Sequence, residues 1–299
     1  MAESAAEIYR EGLRFAARSQ WQLFRRRFVR HRLAMASLVV LLVICGAALL
    51  APHLALYGFN EQDLTNASVA PTLRGGHLFG TDRLGRDYLS RVLYGTGTTV
   101  RVAFVVALLS TAIGTTVGAV AGYYGGWLDS LLMRLVDLVL SLPSLAVLLI
   151  VAAFLGQGSP FRVAVILALL LWTTIARIVR GEYLSLREKE FVEAALAAGA
   201  SDARIMLRHM LPNSLGPIIV NATLTVALAI LLEATLSFLG FGISPPTPAL
   251  GKLIDDGKGA MLTQWWLVVM PGLVIVVLSL CVNFIGDGLR DALDPKQAQ

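Results

Sequence analysis

Charged residues are scarce in this sequence, and their scarcity excludes an ordinary soluble domain. Of 299 residues, 15% are Asp, Glu, Lys or Arg, whereas 56% are hydrophobic. Soluble domains average about 25% charged and about 45–50% apolar residues. Because the composition departs from both averages at once, we interpret the chain as a polytopic membrane protein.

Cysteine and histidine are also rare, which removes the usual metal and disulfide frameworks. The two cysteines, Cys45 and Cys281, both lie inside apolar runs, where we interpret them as small apolar side chains. The four histidines are scattered along the chain, at His31, His53, His77 and His209.

Catalytic and nucleotide-binding motifs are missing from the sequence. No stretch matches Gly-x-x-x-x-Gly-Lys-[Ser/Thr], so the chain lacks a P-loop for ATP. Neither His-Glu-x-x-His nor Gly-x-Ser-x-Gly occurs, which removes the commonest hydrolase sites. We therefore predict a non-catalytic subunit without a cofactor of its own, whose energy must come from a partner.

Long apolar runs are what the sequence does contain. About 20 apolar residues in a helix cover about 30 Å, the thickness of the hydrocarbon core. The fold class predicted is an all-α integral membrane protein with six transmembrane helices. The expected spans are residues 33–52, 100–121, 131–155, 161–176, 215–239 and 265–285.

The segments outside the spans complete the predicted organisation. Residues 1–32 hold many arginines, and Leu13, Ala17, Trp21, Phe24 and Phe28 fall on one helical stripe. This pattern predicts a basic amphipathic helix on an anionic lipid surface. A six-span domain over 33–295 and a tail over 296–299 follow. The three long loops expected within that domain are 53–99, 177–213 and 240–264.

The positions of Lys and Arg predict the orientation. The N-terminal segment and the 177–213 loop are rich in them, whereas the 156–160 loop has none. The positive-inside rule therefore places both termini and the 177–213 loop in the cytoplasm, with 53–99 and 240–264 outside. The net charge of +5 is explained by a membrane surface, and nucleic acid is not an expected partner.

A charged stretch, residues 191–213, separates the fourth and fifth expected spans. Strong helix formers flank Gly199, and glycine is common just past the end of a helix. Ser201 and Asp202 supply an N-cap and an acidic first turn, and Pro212 cannot continue a helix. The stretch thus predicts a helix, a tight turn, a second helix and a stop. Four alanines leave the first helix nearly bare, so another surface could approach its backbone: Ala194, Ala195, Ala197 and Ala198.

This stretch resembles the cytoplasmic loop of ABC-importer membrane subunits. The resemblance is carried by Glu-Ala-Ala, three further residues, Gly, and a later Leu-Pro. It implies a coupling helix, between helices 4 and 5, that seats in a groove of the ATP-hydrolysing subunit. The coupling residues it implies are Glu193, Ala194, Ala195, Gly199, Leu211 and Pro212. The plainer alternative is an ordinary helical hairpin between two spans.

Other stretches are similar to the dipeptide/oligopeptide branch of the same family, and to its second permease. One departure is Gly95-Thr96-Gly97, where relatives commonly have Gly-Ala-Arg. The resemblance covers roughly residues 33–295, and the matching stretches are 77–82, 176–190, 236–242 and 286–291.

The resemblance implies a permease that forms half of the pathway for di- or oligopeptides in a bacterial inner membrane. Its implied partners are a second related permease, two ABC ATPase subunits or domains that bind ATP and Mg, and an external solute-binding protein. Nickel, glutathione or peptide antibiotics are alternative solutes. A rival class, a secondary transporter or channel, predicts paired intramembrane charges or an inverted repeat.

Three individual features leave alternatives open. Glu233 lies inside the fifth expected span, where a carboxylate is costly unless it is paired or wet. It either makes a structural hydrogen bond, lines the translocation path or snorkels. Arg134 and Asp137 share a helical face near the expected membrane edge, where an ion pair or snorkelling is favoured over contact with a solute. The turns 80–82 and 85–87 are expected to pin an external helix rather than to contact a ligand.

Overall fold

The computed structural model describes residues 20–73, 76–156 and 158–293. Within these ranges the chain is helical, with two isolated β-bridges and no longer strand. The predicted all-α fold class is confirmed. The α-helices are α1 (Gln20–Arg30), α2 (Arg32–Leu49), α3 (Ala51–Leu54), α4 (Tyr88–Tyr124), α5 (Gly126–Ser141), α6 (Ser144–Leu155), α7 (Pro160–Arg187), α8 (Glu190–Ala197), α9 (Asp202–Arg204), α10 (Leu211–Phe238), α11 (Leu250–Gly257) and α12 (Trp266–Leu293).

Among the residues that the structure describes, five helices are long and apolar enough to cross a membrane: α2, α4, α7, the continuous run Asp202–Phe238, and α12. A sixth crossing results if α5 and α6 together form one span. These helices coincide with the six expected spans, although several extend further. In particular, α4 begins at Tyr88 rather than near Val100. Residues 1–19 of the predicted amphipathic segment and the 296–299 tail lie outside the described residues.

The third expected span, 131–155, is not one straight helix. It is divided between α5 and α6, which are bent by 87°. The break falls at Leu142, whose ψ of 140° is extended, and at Pro143, which precedes α6. A proline ring disfavours helical geometry in the residue before it, so the sequence Leu142-Pro143 ends the first helix.

The predicted stop at Pro212 is wrong. A π-helical turn, Ile205–Met210, leads directly into α10, so the chain stays helical through the proline. Pro212 is the second residue of α10 and follows the π turn directly. The wider π turn gives the Leu211 N–H a bond to the Met206 carbonyl, and Asn213 Nδ2 donates to the His209 carbonyl over 2.6 Å.

The centre of the bundle is the close pair α4 and α7. Three glycines at four-residue intervals, Gly114, Gly118 and Gly122, face α7 on one side of α4. A Cβ at Gly118 would lie 2.4 Å from the Ala176 carbonyl oxygen, and one at Gly122 would lie 2.6 Å from Tyr183 Cβ. Small residues at this spacing let the two backbones approach, as membrane helices require.

The two ends of α4 contact different parts of the chain. Near its first residue, Asp87 accepts hydrogen bonds from the Ser90 N–H and from the Nδ1–H of His77, and the Tyr88 hydroxyl donates to the Leu253 carbonyl of α11. Its last residues contact the 177–213 loop. We call the end that carries α11 the far end, and the opposite end the loop end.

Two buried carboxylates accept hydrogen bonds that hold the far end together. Asp82 is 6% exposed, and its Oδ2 accepts hydrogen bonds of 2.7 Å from both Arg86 and Arg91. Asp87 is 4% exposed and caps α4. These contacts agree with the expectation that the turns 80–82 and 85–87 pin a helix, because both carboxylates are occupied within the chain.

Candidate functional site

The 177–213 loop has an inner face that is packed against the ends of two long helices. Val192 of α8, Ile205 and Met210 are fully buried. They belong to one apolar cluster with Val179 and Tyr183 of α7. Burial of such side chains contributes about 1.5–3 kcal/mol each. The loop is therefore a folded part of the bundle.

The turn at Gly199 has the geometry that the sequence predicts. Its φ is +74°, a left-handed conformation that glycine adopts without strain. The Gly199 N–H bonds to the Leu196 carbonyl over 2.9 Å, and the Ala200 N–H bonds to the Ala195 carbonyl over 3.0 Å. This pair of bonds is the Schellman ending of a helix. A Cβ at Gly199 would meet nothing within 4 Å, so the requirement is conformational.

Hydrogen bonds join the ends of α4 and α7 to each other and to the part of the loop that follows α7. Tyr183 donates to the Met206 carbonyl over 3.0 Å, and Tyr123 donates to Asp202 Oδ1 over 2.8 Å. Arg187 Nη1 donates to the Tyr123 carbonyl over 3.1 Å. Ser201 occupies the expected N-cap position, but its side chain makes no capping bond. Loop and bundle end are thus positioned as one unit.

The outer face of α8 is small and apolar, with a carboxylate beside it. Ala194 and Glu193 are exposed, whereas Ala195 is half-buried and turned towards the inner cluster. Phe191 is 39% exposed and Leu196 is 51% exposed. Of the remaining residues implied by resemblance, Gly199 and Pro212 are exposed and Leu211 is half-buried.

Sequence reasoning missed Phe191 and Leu196 as parts of this surface. The signal that could have found them is the presence of large apolar side chains within a charged stretch outside the spans.

Ion pairs join α5 to the part of α7 with which this loop begins. Arg180 Nη2 bonds to Asp129 Oδ2 over 2.6 Å, and its Nε bonds to the other carboxylate oxygen. Asp137 pairs with Arg177. Of the expected alternatives, the structure shows an ion pair at Asp137, but α7 supplies its partner, Arg177, from a distant part of the sequence in place of Arg134.

Glu233 is the second candidate. Its side chain is fully buried, and its two carboxylate oxygens accept hydrogen bonds from different helices. Thr99 of α4 donates to Oε2 over 2.8 Å, and Ser237 of α10 donates to Oε1 over 2.7 Å. These contacts support the structural hydrogen bond and oppose snorkelling, because no part of the side chain reaches solvent.

No group of three His, Cys, Asp or Glu side chains in the described ranges is arranged to hold a metal ion.

A helical membrane bundle that carries a loop with exposed apolar side chains, held against the ends of its helices, is the architecture of a membrane transport subunit.

Comparison with known proteins identifies the family within this class. The sequence model described as "Binding-protein-dependent transport system inner membrane component" matches residues 114–299. A second, described as "N-terminal TM domain of oligopeptide transport permease C", matches residues 19–71. The chain belongs to the family of binding-protein-dependent inner membrane components, which are permease subunits of ABC importers.

Individual relatives resemble nearly the whole chain. The oligopeptide transport system permease protein OppC of Escherichia coli strain K12 is 44% identical over 290 residues, which cover 97% of this chain and 96% of that protein. The dipeptide transport system permease protein DppC of Haemophilus influenzae is 40% identical over 291 residues, covering 96% and 98%. A chain of the inward-facing MetNI methionine ABC transporter has a TM-score of 0.49 at 21% identity, over 68% of this chain and 96% of that one.

Proposed function

We propose that this chain carries di- and oligopeptides, delivered by an external solute-binding protein, through a pathway of which it forms one half. The observation that carries the proposal is the full-length similarity to relatives named as oligopeptide and dipeptide permeases. The chain itself is non-catalytic in this proposal. ATP and Mg are bound by partner ATPases, and no cofactor is bound here.

An open groove supports the role as half of a pathway. It has a volume of about 440 Å³ and lies between α2, α4, α10 and α12. Its walls are mostly apolar, with Phe104, Ile219 and Leu278 among the lining residues. A second, related permease covering this side would convert the groove into an enclosed passage.

The outer face of α8 is the proposed contact with the ATPase. Exposed Phe191 and Leu196 supply apolar area, Ala194 lets the partner approach the helix backbone, and Glu193 offers a charge for a basic group. Because Tyr123 and Tyr183 fasten the loop to α4 and α7, displacement of the loop would be passed to the spans. Rigid-body movement of packed helices is a common form of such a transition.

The proposed orientation places both termini and the 177–213 loop in the cytoplasm. It is supported by the arginines of α1 and the basic residues of the loop, which face the same side under the positive-inside rule.

The test of the substrate class is reconstitution in proteoliposomes with the second permease, the ATPases and the binding protein. Tripeptides, Ni²⁺ and glutathione are then compared as added solutes. We expect tripeptides alone to be taken up and to raise ATP hydrolysis severalfold over the basal rate. Uptake of Ni²⁺ or glutathione without uptake of peptide would contradict the peptide assignment while leaving the permease assignment intact.

A further inference from the structure

The carboxyl group of Glu233 lies at the centre of a hydrogen-bonded chain with two arms. In one arm, the Ser237 hydroxyl donates to Oε1 over 2.7 Å and accepts from the Ile243 N–H over 3.5 Å. In the other, the Thr99 hydroxyl donates to Oε2 over 2.8 Å and accepts from the Leu250 N–H over 3.4 Å. One carboxyl group is thus connected to both ends of the segment between Ile243 and Leu250.

The Leu250 N–H has a particular need for this contact. Leu250 is the first residue of α11, and the first N–H groups of a helix have no partner within the helix. Leu250 is also fully buried, where an unsatisfied N–H is unfavourable because it has lost its hydrogen bonds to water. The Thr99 hydroxyl lies where it satisfies that donor.

Close backbone contact holds the same two ends of the segment. A Cβ at Gly242 would lie 2.1 Å from Ser237 Oγ, and one at Gly251 would lie 2.1 Å from the Ala234 carbonyl oxygen. These distances leave no room for a side chain at either position. Segment 242–251 therefore sits directly on α10 at the two points that the Glu233 arms reach.

The network also stands at one end of the apolar groove. Val100, which follows Thr99, and Ile230, which precedes Glu233 by one turn, both line the groove. Since Thr99 lies on α4 and Glu233 on α10, their hydrogen bond joins two of the helices that form the groove walls.

We infer that Glu233 is a positioning residue, which holds segment 242–251 against the bundle at both ends and fixes the spacing of α4 and α10 at the far end of the groove. Its role is exerted through Ser237 and Thr99 rather than by contact with a solute. The inference does not depend on which solute is carried or on which side of the membrane the far end faces.

The test is amide hydrogen exchange of the full chain in lipid nanodiscs, measured by mass spectrometry on fragments that resolve the two ends of the segment. Loss of one hydrogen bond changes a local opening equilibrium by about fivefold. We expect Ser237→Ala to raise exchange by about that factor around Ile243 only, and Thr99→Val to raise it around Leu250 only. Glu233→Leu should raise exchange at both ends.

Two further variants serve as a control and as a graded substitution. Thr96→Val removes another buried hydroxyl of α4, which bonds only to the Val92 carbonyl of its own helix among the contacts described, and should change neither end. Glu233→Gln keeps one acceptor oxygen and should give an effect between wild type and Glu233→Leu. Equal effects of Ser237→Ala and Thr99→Val at both ends, or no effect of either, would overturn the inference.

Discussion

The phenolic hydroxyl of Tyr123 donates a hydrogen bond to Oδ1 of Asp202 over 2.8 Å. This contact joins the last turn of α4 to the first residue of α9, immediately beyond the Gly199 turn. Two parts of the chain that are far apart in sequence thereby meet at the loop end, and the position of the loop depends on the position of the span.

Replacement of Tyr123 by phenylalanine should loosen this connection without disturbing the bundle. A side-chain hydrogen bond contributes about 1 kcal/mol, so amide exchange over residues 200–206 should rise by about fivefold. Tyr124→Phe is the control, because the neighbouring Tyr124 is 51% exposed. Equal exchange in Tyr123→Phe and wild type would show that the hydrogen bond does not hold the loop.

Two glycines at the loop end should respond oppositely to alanine. Gly199 has a φ of +74°, so Gly199→Ala should cost about 1–2 kcal/mol, and a β-branched residue such as valine should cost more. Gly181 lies within α7 with open space around its Cα, so Gly181→Ala should be neutral or stabilising by about 0.5–1 kcal/mol. Thermal unfolding in detergent measures both, and a similar Tm change in the two variants would contradict this account.

The Gly199 turn shows what the sequence could predict and Pro212 shows what it could not. A glycine just past a run of helix formers fixes a local conformation, and local rules sufficed there. The effect of Pro212 depends on whether the preceding turn widens, which the packing of Ile205 and Met210 into the inner cluster decides. In the third span, Pro143 accounts locally for the break, but the sequence alone does not give the 87° angle between the two helices.

The sequence alone could not predict which residues pair between different helices of the bundle. The partner of Asp137 is Arg177, and that of Glu233 includes Thr99, each from a different helix. A single sequence states that a carboxylate within an apolar span needs partners, but it does not state which helix will lie beside it. The alanines of α8 predicted that part of this helix is open to a partner. That Ala195 faces the inner cluster could be seen only from the residues that the fold packs beside it.

The proposed orientation of the chain predicts which residues can be labelled from outside the cell. In a background of Cys45→Ala and Cys281→Ala, Ser201→Cys should react with a membrane-impermeant maleimide only after the membrane is opened. Leu64→Cys, at a residue that is 70% exposed in the 53–99 loop, should react in intact cells. Labelling of Ser201→Cys in intact cells would reverse the proposed topology.

The acidic end of α11 should give the protein a defined dependence on pH. Burial would raise the pKa of Asp255, but hydrogen bonds from Lys252 and Lys258 outweigh it and hold that pKa below 3.8. Because the folded pKa is lower than the unfolded one, the contribution to stability is complete above about pH 4 and is lost as the pH falls through the folded pKa.

Asp255→Asn measures this contribution directly. At pH 7 the variant should be less stable than wild type by about 1 kcal/mol, and the difference should shrink as the pH is lowered below 3.8. The measurement is the free energy of unfolding of both proteins across that pH range. A difference that is constant or grows at low pH would contradict the assigned ion pairs.

The most direct test of the coupling surface compares two tryptophan substitutions at exposed positions of the loop end. Ala194→Trp places a bulky side chain on the outer face of α8, whereas Ser185→Trp places one on exposed α7 outside that face. Both proteins are reconstituted in proteoliposomes with the second permease, the ATPases and the binding protein. Two quantities are measured: solute-stimulated ATP hydrolysis, and capture of the ATPases by the permease. We expect Ala194→Trp to abolish both the stimulation and the capture, and Ser185→Trp to retain both. Wild-type stimulation and capture in Ala194→Trp would contradict the assignment of α8 as the surface through which ATP hydrolysis drives this permease.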